Sequence, residues 1–261
     1  MTCRSSLPAP KISSTASGRG AEAAGCANLP LMAEPKGSLK HMRWYATERA
    51  DHLTDAIFSA SPSLASEARG SLDWLSPLPG DQPQECWNER FLERVGLVDQ
   101  LAAFRDFWPF SGSGTPHWDA LARVPVLDGQ GVVMVEAKAH KGELMKPGDK
   151  SGARAMDSIA KIGRSCAAAR TFYGVSPTTV PWEARYYQVG NRLAHLYWMN
   201  EIAETPTWLV WLFFTNDPSW DDRLAAHEWH KLFETVRQEV GLPAHHQLDS
   251  RIAAAYLPPS P

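Results

Sequence analysis

The sequence predicts an α/β protein with a central mixed β-sheet flanked by helices and with helical extensions, on three observations. Residues 117–126 and 131–140 have strand character and are joined by Asp128-Gly129-Gln130-Gly131, strong turn chemistry for a hairpin. Residues 207–215 form a continuous apolar run, the pattern of a strand buried on both faces. Two helical stretches lie between them. Strands that meet first by hairpins and later through a helical crossover define a mixed sheet.

Taken in order, residues 1–41 are rich in Ser, Ala, Gly and Pro and have few large apolar side chains, so they are expected to be disordered. They lack the apolar stretch of a secretory signal, and Glu22 and Glu34 argue against a transit peptide. Helical patterning starts at Met42, and both Met32 and Met42 are compatible with a natural start. Residues 42–84 read as a helical extension and connector: Trp44, Tyr45, Leu53, Ile57 and Phe58 fall at helical spacing before a Ser/Pro/Gly-rich run. A helix over 85–95 ends at Gly96, and a short one follows through Leu101 and Phe104. Phe107-Trp108-Pro109-Phe110 is expected to be the first strand, closed by Ser111-Gly112-Ser113-Gly114. After the hairpin, 151–172 and 182–203 read as helices broken by Gly174 and Ser176-Pro177. The α/β core then spans 85–218, and 219–261 is expected to be a mostly helical C-terminal extension that stops at Pro258-Pro259.

The chain has 261 residues, 44% hydrophobic and 21% charged, enough for one sizeable core. Its longest apolar run, 208–214, is far short of the roughly 20 residues a membrane-crossing helix needs, so no membrane is expected. Cys3, Cys26, Cys86 and Cys166 are scattered singly, which fits a reducing, cytoplasmic setting without a disulfide framework or zinc knuckle. A formal net charge of -3 means that any nucleic-acid contact must come from a local basic patch.

The residues that carry chemistry lie in the hairpin. Alternation puts Glu136, Lys138 and His140 on one face of their strand and Val133, Val135 and Ala137 on the other. A carboxylate and an ammonium two residues apart on an apolar strand are costly to bury without a partner, metal or ligand. Asp119, on the preceding strand, can be brought alongside Glu136 by the turn. Two carboxylates plus water and phosphate are the oxygen set that Mg²⁺ selects, with Mn²⁺ as a substitute.

Asp119 followed by Glu136-Ala137-Lys138 resembles the signature of the PD-(D/E)XK nuclease superfamily, whose restriction-endonuclease-like core of helix, three strands, helix and strand is similar to the order read over about 85–218. Trp118 stands where that signature has proline. The resemblance implies that Asp119 and Glu136 hold the metal with help from the Ala137 carbonyl, and that Lys138 assists the attacking water. It further implies a carboxylate from the first helix and a polar residue from a later one, for which Glu89 and Gln188 match by position.

Arg154, Lys161 and Arg164, with Lys150, fall in a narrow stripe at helical spacing, suited to tracking a phosphate backbone although Asp157 interrupts it. Gln188, Arg192 and His195 form a polar row beside an apolar stripe, and Arg192 is expected to contact nucleic acid too. His227 and His230 miss zinc-protease spacing, being three residues apart rather than four. The leading expectation is a Mg²⁺-dependent nuclease, with DNA ahead of RNA as substrate and a homo-oligomer compatible with duplex cleavage. The second is a catalytically silent nucleic-acid-binding or regulatory module of the same fold. The third is a hydrolase of another phosphate ester.

Overall fold

The computed structural model describes residues 36–77, 86–87, 90–109, 117–145 and 150–261. Helices α1 (Ser38–Glu48), α2 (Ala50–Ala60) and α3 (Pro62–Glu67) precede β1 (Asp73–Ser76) and β2 (Cys86–Trp87). Helices α4 (Arg90–Val95) and α5 (Leu101–Phe107) lead to β3 (His117–Trp118), β4 (Ala120–Val126) and β5 (Gly129–Lys138). Then come α6 (Lys141–Leu144), α7 (Met156–Tyr173), α8 (Tyr187–Tyr197), β6 (Thr207–Phe214), α9 (Ala226–Glu239) and β7 (Ile252–Leu257).

Five strands form one mixed sheet in the order β1-β4-β5-β6-β7, and β2 pairs with β3 in a separate ribbon. Pairs β1·β4 and β4·β5 are antiparallel, whereas β5·β6 and β6·β7 are parallel. The α/β class with a helix-flanked mixed sheet therefore holds. The β4–β5 register sets Ala120 opposite Val135, so Asp119 enters β4 level with Glu136.

Alternation along β5 sends Val133, Val135 and Ala137 into an apolar layer with Met42, Leu53, Ile57 and Leu64 from α1, α2 and α3. Met134 points to the opposite layer, which holds Leu121, Trp211 and Phe213 with residues of α4, α5, α7, α8 and α9. The chain is thus layered helix, sheet, helix. Two glycines matter here. Gly174, at φ 73, ends α7 in the left-handed region. Gly190 lets α8 lie against Trp182, whose Cβ would come within 2.3 Å of an added Cβ.

Four expectations are corrected. The outer antiparallel strand is Asp73–Ser76 rather than 107–110: Phe107 ends α5, and Phe110 lies outside the described residues. That strand is only four residues long and held at the sheet edge, so no period of alternation announces it. The C-terminal segment is not all helix, because Ile252–Leu257 pairs with β6. Its three consecutive alanines favour helix locally, yet their burial alternates with period two, and tertiary pairing prevails. The sheet therefore extends on both sides beyond 85–218. Residues 38–41, expected to be disordered, begin α1, and His41 is buried there; residues 1–35 lie outside the described residues. The helix expected over 151–172 starts only at Met156.

Candidate active site

Asp119 occupies the break where the chain leaves the β3 ribbon and joins the main sheet. Strand β5 continues past its last partner on β4, so the Ala137 N–H needs another acceptor. The Asp119 carboxylate supplies it, accepting from Ala137 N at 2.7 Å. This bond fixes Asp119 against the strand that carries Glu136 and Lys138, as the sequence reading required.

Glu136 is 1% exposed and Lys138 is 4% exposed, both on the face toward the α7–α8 layer. The Lys138 ammonium donates to Glu136 Oε1 in a short contact. From α8, Arg192 points its guanidinium at the other oxygen, with Nε donating to Glu136 Oε2 at 2.6 Å and Nη2 at the same distance from it. Burial alone would raise the Glu136 carboxyl, but the charges of Arg192 and Lys138 outweigh it and hold the carboxyl below its ordinary range. A carboxylate enclosed by two cations is the form in which such a charge is tolerated inside a protein.

Arg192 has three further anchors. Nη2 donates to the His117 carbonyl at 2.5 Å and Nη1 to Asn191 Oδ1 at 3.1 Å. Its guanidinium carbon lies 4.6 Å from the centre of the Trp118 ring, a cation–π position. Beside it, the Tyr187 hydroxyl hydrogen-bonds with Asn191 and Ser151, and burial pushes that phenol up to about 12. One turn beyond Arg192, His195 Nδ1 donates to the Asn191 carbonyl at 2.8 Å. Burial, with the Arg192 charge adding to it, pushes this imidazole down to about 3, so the ring is neutral at pH 7. Aromatic rings surround it, Trp108 at 4.6 Å and Phe104 at 5.5 Å between centroids.

The structure thus brings together Asp119, Glu136, Ala137, Lys138 and Arg192. The last is the correction. Expected to face nucleic acid, Arg192 is 4% exposed and engaged with Glu136. In the sequence Gln188, Arg192 and His195 are a polar row beside an apolar stripe, a pattern shared by a solvated flank and by a row turned toward a buried charge. Gln188 is half-buried one turn before Arg192 on the same helix. Glu89 lies outside the described residues. Arg154 and Arg164 are exposed, but Arg154 precedes α7, so the stripe is not a single helix face. The Lys161 ammonium donates to the Arg105 carbonyl on α5. His140 lies beyond the end of β5, where its ring stacks on Trp220 at 3.9 Å and Nδ1 is 3.3 Å from Asp222.

Among the described residues no group of three or more His, Cys, Asp and Glu is placed to hold a metal. The set available is two carboxylates, Glu136 and the Asp119 that accepts from the neighbouring Ala137 N–H. Such a set suits Mg²⁺ or Mn²⁺, which take one or two carboxylates and complete their shell with water and phosphate oxygens, and does not suit zinc. No helix among the described residues is long and apolar enough to cross a membrane. No family model, curated protein or solved structure matches the chain.

Proposed function

We propose that the protein is a metal-dependent phosphodiester hydrolase of the PD-(D/E)XK type acting on nucleic acid, DNA ahead of RNA. The observation that carries this reading is the meeting of Asp119 with Glu136 and Lys138 at adjoining ends of β4 and β5. Asp119 and Glu136 would hold Mg²⁺, which when bound supplies a Lewis acid for the phosphate and a more acidic water. Lys138, whose ammonium donates to Glu136, would orient the attacking water and offset the negative charge that develops on the phosphate. Arg192 and the Trp118 ring lie buried beside Glu136.

A second reading, a silent binding or regulatory module of the same fold, draws support from one fact: both Glu136 oxygens already accept from cations. One assay separates the two. Labelled single- and double-stranded DNA and RNA are incubated with Mg²⁺, Mn²⁺ or EDTA, using the wild type, Glu136→Ala and Lys138→Ala. Cleavage that needs metal and is lost in both variants supports the hydrolase. Binding without cleavage under every metal, unchanged by Lys138→Ala, supports the silent module.

A further inference from the structure

We propose that Arg192 is a resident counter-cation that occupies the metal-binding carboxylate until a divalent ion displaces it, so that metal uptake is a cation exchange. The inference rests on the two-carboxylate metal site proposed above and adds a residue that controls its occupancy.

Glu136 accepts from both Lys138 and Arg192, so one carboxylate meets two cations, and all three side chains are at least 96% buried. In such a medium a fixed guanidinium 2.6 Å from Oε2 opposes a second cation at that oxygen far more strongly than it would in water. The divalent ion and Arg192 therefore compete for one atom. Lys138 does not settle that competition, because it takes the other oxygen, Oε1.

Arg192 also has partners besides Glu136. Its bonds to the His117 carbonyl and Asn191 Oδ1, and its seat over the Trp118 ring, do not involve Glu136. A guanidinium that releases Oε2 keeps these anchors and stays beside the site. An arginine present only to neutralise Glu136 would not need them. Arg192 is thus a positioning residue, acting through Glu136 on the affinity for metal.

The test measures Mn²⁺ binding by calorimetry and by electron paramagnetic resonance of free Mn²⁺, in the wild type, Arg192→Met and Arg192→Met/Glu136→Gln. Arg192→Met keeps the Lys138 pair on Glu136. We expect it to bind Mn²⁺ at least tenfold more tightly than the wild type, and the double variant to lose that gain. A wild type that binds no Mn²⁺ while Arg192→Met does would support the exchange in its strongest form. Equal or weaker binding by Arg192→Met, with the wild type binding, overturns the exchange and leaves the metal site standing. Absence of binding in both overturns the metal site, and the exchange with it. As a check that needs no folded Met variant, the Arg192 Nε–H signal of ¹⁵N-labelled wild type, assigned with Arg192→Lys, is followed through a Mg²⁺ titration. Movement with the midpoint of metal binding is expected, and a signal unmoved at saturation overturns the proposal.

Discussion

On the face of the sheet covered by α1, α2 and α3, Val133, Val135, Ala137, Leu212 and Phe214 meet apolar side chains, and the buried polar groups stand at the margin. There His41 Nε2 lies 2.8 Å from Asp217 Oδ2, and Nδ1 accepts from the Ser260 N–H, tying the C-terminal segment to α1. On the opposite face, the end of the same strand sends Glu136 and Lys138 into the buried layer, where α8 answers with Arg192, with His195 one turn beyond. Both faces are buried. Their difference teaches that burial by itself does not distinguish scaffold from site; what distinguishes them is whether the buried groups are self-sufficient in shape or depend on charge.

The largest expected effect follows from that contrast. Leu212→Ala removes a fully buried side chain on the apolar face and should cost about 2–5 kcal/mol of stability. Glu136→Ala leaves Lys138 and Arg192 as buried cations without their carboxylate and should cost about 3–5 kcal/mol. In chemical denaturation the two variants are therefore expected to look alike. In the cleavage assay they should part, Glu136→Ala losing about 10²-fold or more in kcat while folded Leu212→Ala keeps its rate. Equal losses of activity would mean that the two faces are not functionally distinct.

The next test moves α8 as a body. Alanine at position 190 would place its Cβ 2.3 Å from Trp182 Cβ and 2.8 Å from Cγ, atoms near the backbone that cannot rotate away. Overpacking of this kind costs about 1–3 kcal/mol, and the better helix propensity of alanine returns up to about 1 kcal/mol of it. Gly190→Ala should therefore lower stability by about 1 kcal/mol net. Because Arg192 is two residues further on, the variant should also loosen the Glu136–Arg192 pair. A neutral or stabilising result would show that Trp182 does not set the position of α8.

How much of this was legible in the sequence follows from the same contrast. The hairpin and the apolar strand β6 could be read because periodicity and turn chemistry are local properties, and Asp119 and Glu136 meet because the hairpin turn fixes their register. Strands β1 and β7 were not legible. The first is too short to show a period, and the second is written in alanines, whose local preference is helical. The partner of Glu136 was hidden for another reason. Arg192 lies 56 residues away in the chain, and a polar row on a helix does not state whether it faces solvent or a buried charge. Contacts of that separation follow from topology, which the sequence supplied only as an order of elements.

A pH experiment isolates the neutral histidine on the site face. The folded pKa of His195, about 3, lies below its ordinary value of 6.5, so as pH falls the unfolded chain takes up the proton first. Its contribution to stability is complete above about pH 6.5 and declines toward pH 3. Between pH 7 and pH 5 the loss should be about 2 kcal/mol, before most carboxylates titrate. His246, held below its ordinary value chiefly by burial, adds a slope of the same sign. His195→Phe keeps an aromatic ring in the cage and should flatten the His195 share of the curve, leaving the rest. Parallel curves for wild type and variant in denaturant titrations would show that the folded protein does not lower the pKa of His195.

The smallest expected effect concerns the exposed basic residues. Arg154 and Arg164 are both exposed and should change stability by less than about 0.5 kcal/mol when replaced by alanine. Lys161, whose ammonium bonds the Arg105 carbonyl, should cost about 0.5–1.5 kcal/mol, the net worth of one such bond. Nucleic-acid affinity measured against salt separates these roles further. If Arg164 meets a phosphate, Arg164→Ala lowers the slope of log affinity against log salt by about 1, and Arg154→Ala does the same. Lys161→Ala should leave that slope unchanged, since its ammonium is held on the Arg105 carbonyl of α5. A slope altered by Lys161 and not by Arg164 would place the nucleic-acid path on the α5 side of α7, and would move the basic surface from the exposed arginines to the helix that walls the aromatic cage of His195.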